Sequence, residues 1–261
     1  MDLGLVGKTA LVFGAGGGLG GAIARALANE GANVAVADIN LAAAQATVDA
    51  IITSGSKAIA LAWDLADLAV IEARLRAIEE AFGPVEVLVN NTGGPPPTLV
   101  AGQDADTWRR FFNSMVLPVI AITDAVIPAM KRAKWGRIIT STSSGVIAPI
   151  PNLGMSNTLR TSLLGWSKTL AQEVGRDGIT ANIVLPGRIA TQRIAFLDEQ
   201  KAKREGRSVE KVSRQSTASI PVGRYGGPQE YGDVVAFLAS ARASYITGSV
   251  IRIDGGLIAS I

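Results

Sequence analysis

The 261-residue sequence contains no cysteine and no histidine. Without cysteine there is neither a disulfide framework nor a thiol nucleophile. With histidine missing as well, the familiar transition-metal sites lose their usual ligands, and no catalytic metal is expected. Aromatic residues make up 5% of the chain, and the tyrosines fall only at 225, 231 and 245, so phenolic acids are scarce and confined to the C-terminal quarter. No run approaches the roughly 18 consecutive apolar residues of a spanning helix, and the opening MDLGLVGKTA lacks the basic-then-apolar layout of a secretory signal. A cytoplasmic location without a membrane partner is expected. The net charge is a small +3. Two basic runs, 130–137 and 201–214, are not interleaved with aromatics in the manner of base-stacking surfaces, so nucleic acid is not an expected partner. The first run reads as decoration of a helix C-terminus, the second as a solvated helical face. An acidic carrier protein meeting Arg132 and Lys134 is the one macromolecular partner that the first run suggests.

What the sequence does have is a large apolar fraction, 48%, and 29 glycines. A chain of this size can bury one core, and a single domain spanning 1–261 is expected. Short apolar runs at 8–13, 33–38, 57–63, 85–90, 136–141, 179–185 and 250–255 have the character of strands buried on both faces. Helical patterns alternate with them at 20–31, 41–54, 67–83, 104–133, 154–175 and 228–239. This order predicts an α/β fold, a doubly wound parallel sheet of about seven strands with helices on both faces, of the Rossmann type. Only 187–227 departs from the alternation, as a charged, strandless segment suited to a substrate lid. The prolines of GGPPPT (93–98) read as a stiff turn rather than a linker.

The first chemical motif follows the first strand: VFGAGGGLGGAIA, residues 12–24. Gly14, Gly18 and Gly20, with Leu19 among them, form a turn that opens a helix, where backbone N–H groups can approach a pyrophosphate. The second strand ends at Asp38. Its carboxylate can accept hydrogen bonds from both hydroxyls of an adenosine ribose and would repel a 2′-phosphate, which favours NAD (NADH over NADPH). Asp38 is also placed to cap the turn into the next helix.

These motifs resemble those of the short-chain dehydrogenase/reductase family, nearly end to end. NNTG (90–93), with Asn91 and Gly93, is similar to that family's NNAG motif. Asp64 in WDL, beside Leu65, matches its adenine-contacting acid. PGRIAT (186–191), with Pro186, Gly187 and Ile189, resembles the segment that meets the nicotinamide carboxamide, and YITGSVIRIDGG (245–256) resembles the C-terminal strand of 3-oxoacyl carrier-protein reductases. The resemblance implies a catalytic Ser, Tyr, Lys and Asn. Ser143 takes the serine position and would polarise a substrate carbonyl. The family's spacing places Ser156 at the tyrosine position and Arg160 at the lysine position. Registering on Trp108 and Pro128 places Met115 where the asparagine belongs, and Asn113 would point about 200° away around a helix. NTGGPPP together with MSNTLR resembles a subgroup that is similar to 3-oxoacyl carrier-protein reductases but lacks the complete catalytic set.

A serine hydroxyl is a far weaker acid than a phenol and shorter by a ring, and an arginine is a poor proton shuttle, so proton transfer would fall to water, Ser156 or Arg160. Tyr225, bordering the lid, is the least unsuitable phenolic substitute. Ser143 is also compatible with an ordinary strand-end serine bonded to backbone, Met115 with core packing, and Asn90 and Asn91 with ties between loops. The expected function is NAD-dependent hydride transfer to or from a small-molecule carbonyl or secondary alcohol, extending to a 3-oxoacyl thioester. The alternative is an NAD-binding protein without turnover. By resemblance, the helices near 104–133 and 154–175 would pair into a homodimer or homotetramer.

Overall fold

Each predicted strand lies in one parallel sheet because its side chains alternate between two apolar layers. The computed structural model describes residues 1–261. Strands β1 (Thr9–Phe13), β2 (Asn33–Asp38), β3 (Ala58–Ala62), β4 (Val87–Asn91), β5 (Gly136–Ser141), β6 (Ile179–Pro186) and β7 (Val250–Ile253) are ordered β3-β2-β1-β4-β5-β6-β7. Every adjacent pair is parallel. Ala10, Val12, Val34, Val36, Val87 and Val89 face one layer, while Leu11, Phe13, Ala35, Ala37 and Leu88 face the other. This period of two, with apolar residues in both registers, is what a strand covered on both sides requires.

The first layer is covered by helices α1 (Gly18–Asn29), α2 (Leu41–Thr53) and α9 (Pro228–Ala239), the second by α3 (Ile71–Phe82), α5 (Leu117–Ala133) and α6 (Gly154–Val174). The strand order reverses between β1 and β4, so the loops at their C-terminal ends diverge and open a crevice, the usual ligand position in such sheets.

The long helix expected over 104–133 is two: α4 (Ala105–Met115) and α5, meeting at Val116 with φ −113° and ψ −57°. Pro118 has no N–H to continue the ladder of α4 and sits instead in the first turn of a new helix, where none is needed. Taken together, Ala105–Ala133 is long and apolar enough to cross a membrane by length and composition alone. Its residues Ile122, Val126 and Met130 are core beneath the sheet. Segment 187–227 carries α7 (Gln192–Glu205) and α8 (Val209–Ala218), with only an isolated bridge between Ile189 and Gly226.

Both basic runs keep their expected roles in part. In the first, Lys131 and Arg132 lie in the last turn of α5 and Lys134 pairs with Asp177 at 2.5 Å, but Arg137 is fully buried, donating to the carbonyls of Ser240, Gly136 and Gly178. The second is mostly exposed on α7 and α8, with Lys201 and Arg204 also lining the main cavity. The cause is the direction in which α7 lies across the strand ends, which periodicity does not report.

Candidate active site

The glycine turn between β1 and α1 forms because two of its residues adopt left-handed backbone, Gly14 at φ 57° and Gly18 at φ 52°. Helix α1 has no side-chain cap and no acidic residue in its first turn, whereas α2, α4, α7 and α8 are capped by Asn40, Asp104, Thr191 and Ser208. Its first N–H groups therefore remain available to an anion, reinforced by the helix dipole. Gly20 does not line the cavity, contrary to its expected contact with cofactor. A Cβ there would lie 2.1 Å from the Gly14 carbonyl oxygen, so its role is the close packing of helix on turn.

A cavity of about 1010 Å³ opens over this turn and the ends of β4, β5 and β6. It brings together Gly14, Gly18, Leu19, Asp38, Asn91, Gly93, Ser143, Ser156, Arg160, Pro186, Gly187 and Ile189. A neighbouring cleft of about 380 Å³ is lined by Asp38, Asp64, Leu65, Trp63 and Met115 and shares Gly14, Asn91 and Gly93 with the first. A long, two-lobed space over an uncapped helix has the length and the anion-facing donors that a dinucleotide requires.

Several of these side chains also hold the scaffold. The Asp38 carboxylate accepts from the N–H groups of Gly16 and Asn40, each at 2.9 Å, so it fixes the glycine turn and the entry to α2 while facing both cavities. Asp64 accepts from Ala66 N–H at 2.9 Å. Asn91 donates to the Phe13 carbonyl at 3.2 Å, tying β4 to β1, and buried Asn90 donates to Thr123 and Thr140.

The reaction end is built from β5 and α6. Ser143 follows β5 in extended backbone, and its hydroxyl accepts from Gly145 N–H at 3.1 Å. That contact occupies a lone pair and leaves the hydroxyl hydrogen free to donate. Ser156 and Arg160, one turn apart on α6, are both buried. Arg160 Nη2 donates to the carbonyls of Gly93 at 2.7 Å and Thr92 at 3.1 Å, while Nη1 makes only long contacts to Thr92 Oγ1 at 3.4 Å and the Ser141 carbonyl at 3.5 Å. No carboxylate pairs with it. Burial first, and the like charge of Arg193 second, lower its guanidinium to about 10, which leaves it a cation at neutral pH. Met115 is buried among Val116, Val119, Met155 and Leu159, so no amide stands at that position, and Asn113 is exposed on α4.

None of the tyrosines lines either cavity. Tyr225, the expected substitute, instead donates to Asp198 at 2.6 Å, and Asp198 also pairs with Arg188 at 3.0 Å. It is a strut between α7 and the segment before α9. Tyr231 is the phenol nearest the reaction end, hydrogen-bonded to Ser141 Oγ at 2.8 Å, but it is fully buried, and burial raises its pKa well above the ordinary phenol value. Tyr245 is fully exposed.

The motif reading missed Thr92, Gly94 and Arg193. Gly94 was legible only as the neighbour of the NNTG motif. Arg193 lies two residues after the Thr191 cap, in the first turn of α7, and that turn faces back over the strand ends.

Comparison with known proteins agrees with this geometry. A family profile described as enoyl-(acyl carrier protein) reductase matches residues 14–258. The chain is 38% identical over 254 residues to the 3-oxoacyl-[acyl-carrier-protein] reductase of Escherichia coli K12, covering 96% of this chain and 97% of that one. Among solved structures it superposes on YwfH, an NADPH-dependent reductase involved in bacilysin biosynthesis, with TM-score 0.92, 30% identity and coverage of 97% and 99%. NAD⁺-bound xylitol dehydrogenase superposes with TM-score 0.89, 27% identity and the same coverage. The glycine turn and two-lobed cleft of this chain lie at the crevice of a seven-stranded parallel sheet, the sequence similarity runs along almost the whole length, and the chain belongs to the short-chain dehydrogenase/reductase family of oxidoreductases.

Proposed function

We propose that this protein is an NADH-preferring oxidoreductase that interconverts a carbonyl and a secondary alcohol through an atypical proton-delivery step. The observation that carries the reading is the joint presence, in one cavity, of the uncapped α1 N-terminus and a Ser143 hydroxyl free to donate. The N–H groups around Gly18 and Leu19 would hold the pyrophosphate, with Gly14, Asn91 and Gly93 forming the floor. Asp38 would take the adenosine ribose, and Asp64 and Leu65 the adenine. Pro186, Gly187 and Ile189 would border the nicotinamide. When bound, the dinucleotide supplies or accepts the hydride. Asp38 supports NADH over NADPH because a 2′-phosphate would lie against its carboxylate.

Ser143 would donate to the substrate oxygen, and the hydrogen bond it accepts from Gly145 strengthens it as a donor. With no phenol in the cavity, the proton for the developing alkoxide would come from water held near Ser156. Arg160 would act as a fixed charge and a clamp on the Thr92–Gly93 loop. We read residues 1–261 as one domain, with 187–227 as its lid. A 3-oxoacyl thioester is one carbonyl substrate to test, following the name of the E. coli relative. Exposed Phe112, beside the partly buried Trp108 and Phe111 on α4 and Trp166 on α6, supports a homodimer or homotetramer.

The test is oxidation of NADH and NADPH with 3-oxoacyl thioesters, simple ketones and diketones, beside Ser143→Ala. Turnover with NADH that drops on the order of 10²- to 10³-fold in the variant is the expected result. A second reading, cofactor binding without turnover, is favoured by the lack of any cavity phenol. Saturable NADH binding with no oxidation by any of these substrates would establish it in place of the first.

A further inference from the structure

The cavity walls are unequally charged. Arg160, Arg188, Arg193, Lys201 and Arg204 line it, against the single carboxylate of Asp38 at its adenosine end. Arg188 is neutralised by Asp198, and Arg204 approaches Glu205 at 3.9 Å, but Arg160, Arg193 and Lys201 have no acidic partner. A buried cation without a counter-charge is costly to keep in a fold unless something else, protein or ligand, compensates it.

Two of the three unpaired cations converge on one point. Arg160 rises from α6 and Arg193 reaches across from α7, where its Nη2 donates to the Pro95 carbonyl at 2.9 Å. Between them stands Gly94. An atom at the position of a Cβ there would be 3.4 Å from Arg160 Nη2 and 3.7 Å from Arg193 Nη2, with no other group outside residues 93–95 within 4 Å. That volume is open only because residue 94 is glycine. It lies at the C-terminal end of β4, next to β5 and the loop bearing Ser143, and not at the α1 N-terminus, which already offers donors for the pyrophosphate.

We propose that Arg160 and Arg193 form a recognition notch for an anionic group on the substrate, a carboxylate whose oxygen sits beside Gly94. Building on the reading of the cavity as a reductase site, this makes the preferred substrate an oxo acid rather than a neutral ketone. Arg193 comes from the lid, so such an anion would draw α7 toward the β4 loop while its carbonyl lies at Ser143. Part of the Arg160 fork is committed to the Thr92 and Gly93 carbonyls, and its share is mainly charge. Arg193, with one hydrogen bond to Pro95, has donors left for the ligand.

The experiment is calorimetric titration of NADH-loaded protein with 4-oxopentanoate and with its methyl ester, in the wild type, Arg193→Met and Gly94→Asp. The acid is expected to bind the wild type more tightly than the ester, on the order of 10- to 100-fold. Arg193→Met should erase that preference with NADH affinity retained. Gly94→Asp, which places an internal carboxylate in the notch, should erase it by occupation. Equal binding of acid and ester, extended over 2-oxo to 6-oxo acids, overturns the proposal. Loss of NADH affinity in Arg193→Met without any wild-type preference for the acid also overturns it and reassigns the pair to the cofactor phosphates. Tight binding of the acid without its reduction would defeat the reductase reading and leave the notch standing. Because Arg193 is exposed to the cavity and outside the core, its variant tests the proposal even if Gly94→Asp does not fold.

Discussion

The Ser156 side chain ends one carbon from the α6 backbone, where a phenol would extend a ring further into the cavity. If proton delivery limits the present site, rebuilding that acid should accelerate it. We expect Ser156→Tyr combined with Arg160→Lys to raise the rate of NADH oxidation on the order of 10²- to 10⁴-fold, the usual worth of a positioned general acid. Steady-state rates measured beside each single variant will show whether the two act as a unit. An unchanged rate in the double variant would mean that proton transfer is not the slow step. Residue identity at this site was legible by counting from Ser143, because helix α6 keeps a fixed spacing from the end of β5. The environment of each residue was not. The charge of Arg160 has no carboxylate partner only because of what surrounds it in space, and the tyrosines could be assigned roles only once their partners were known. Gly20 shows the same limit in reverse: a glycine motif signals close backbone approach, but only the fold separates approach to a ligand from approach to the Gly14 carbonyl.

Elements show where periodicity suffices. Strands β1 to β7 fall within a residue or two of their apolar runs, since burial on both faces leaves little freedom in register. The solvated helical face expected over 201–214 falls on both α7 and α8, while the first turns of α7 went unread because their charge carries no clear apolar period. Helix α7 is anchored by a three-residue strut, Arg188–Asp198–Tyr225, with Asp198 buried. Tyr225→Phe removes the hydrogen bond to that carboxylate, a loss of about 1.5–3 kcal/mol in the docking of α7. Hydrogen exchange should accelerate across 192–205 while the amides of β1 and β4 keep their protection. Helix α9 offers a titration. Glu230 accepts first from Arg224 and second from Gly227 N–H, and these hold its carboxyl down at about 2. A depressed folded pKa stabilises the protein above the unfolded value near 4.3, and that stabilisation is lost as pH falls from there toward 2. Arg224→Ala should therefore lower Tm near pH 6 and leave it nearly unchanged near pH 2, so that the acid-induced fall becomes smaller, as melts between pH 2 and 6 will record.

At the scale of the molecule, the excess of cations in the cavity creates a field that an anionic ligand senses before contact. NADH affinity should weaken several-fold between about 0.05 and 0.5 M salt as that field is screened, and an affinity independent of salt would show that the lining charges act only at contact. The sheet order and its crevice followed from the alternation of strand and helix signals. What the alternation did not show is how the first and last parts of the chain depend on each other. Gly232 of α9 lies so close to α1 that a Cβ on it would be 2.7 Å from the Ala22 carbonyl oxygen, and Ile23, Ala26 and Leu27 share one apolar cluster with Tyr231, Val235 and Ala239. The helix that opens the glycine turn is thus packed against one made some 200 residues later. At ribosomal speeds of roughly 5–20 residues per second, the nascent dinucleotide motif waits on the order of ten to forty seconds for its supporting wall. During that interval the apolar face of α1 is open to chaperones, and a chain released before α9 would carry every glycine of the motif without a fold in which to use it.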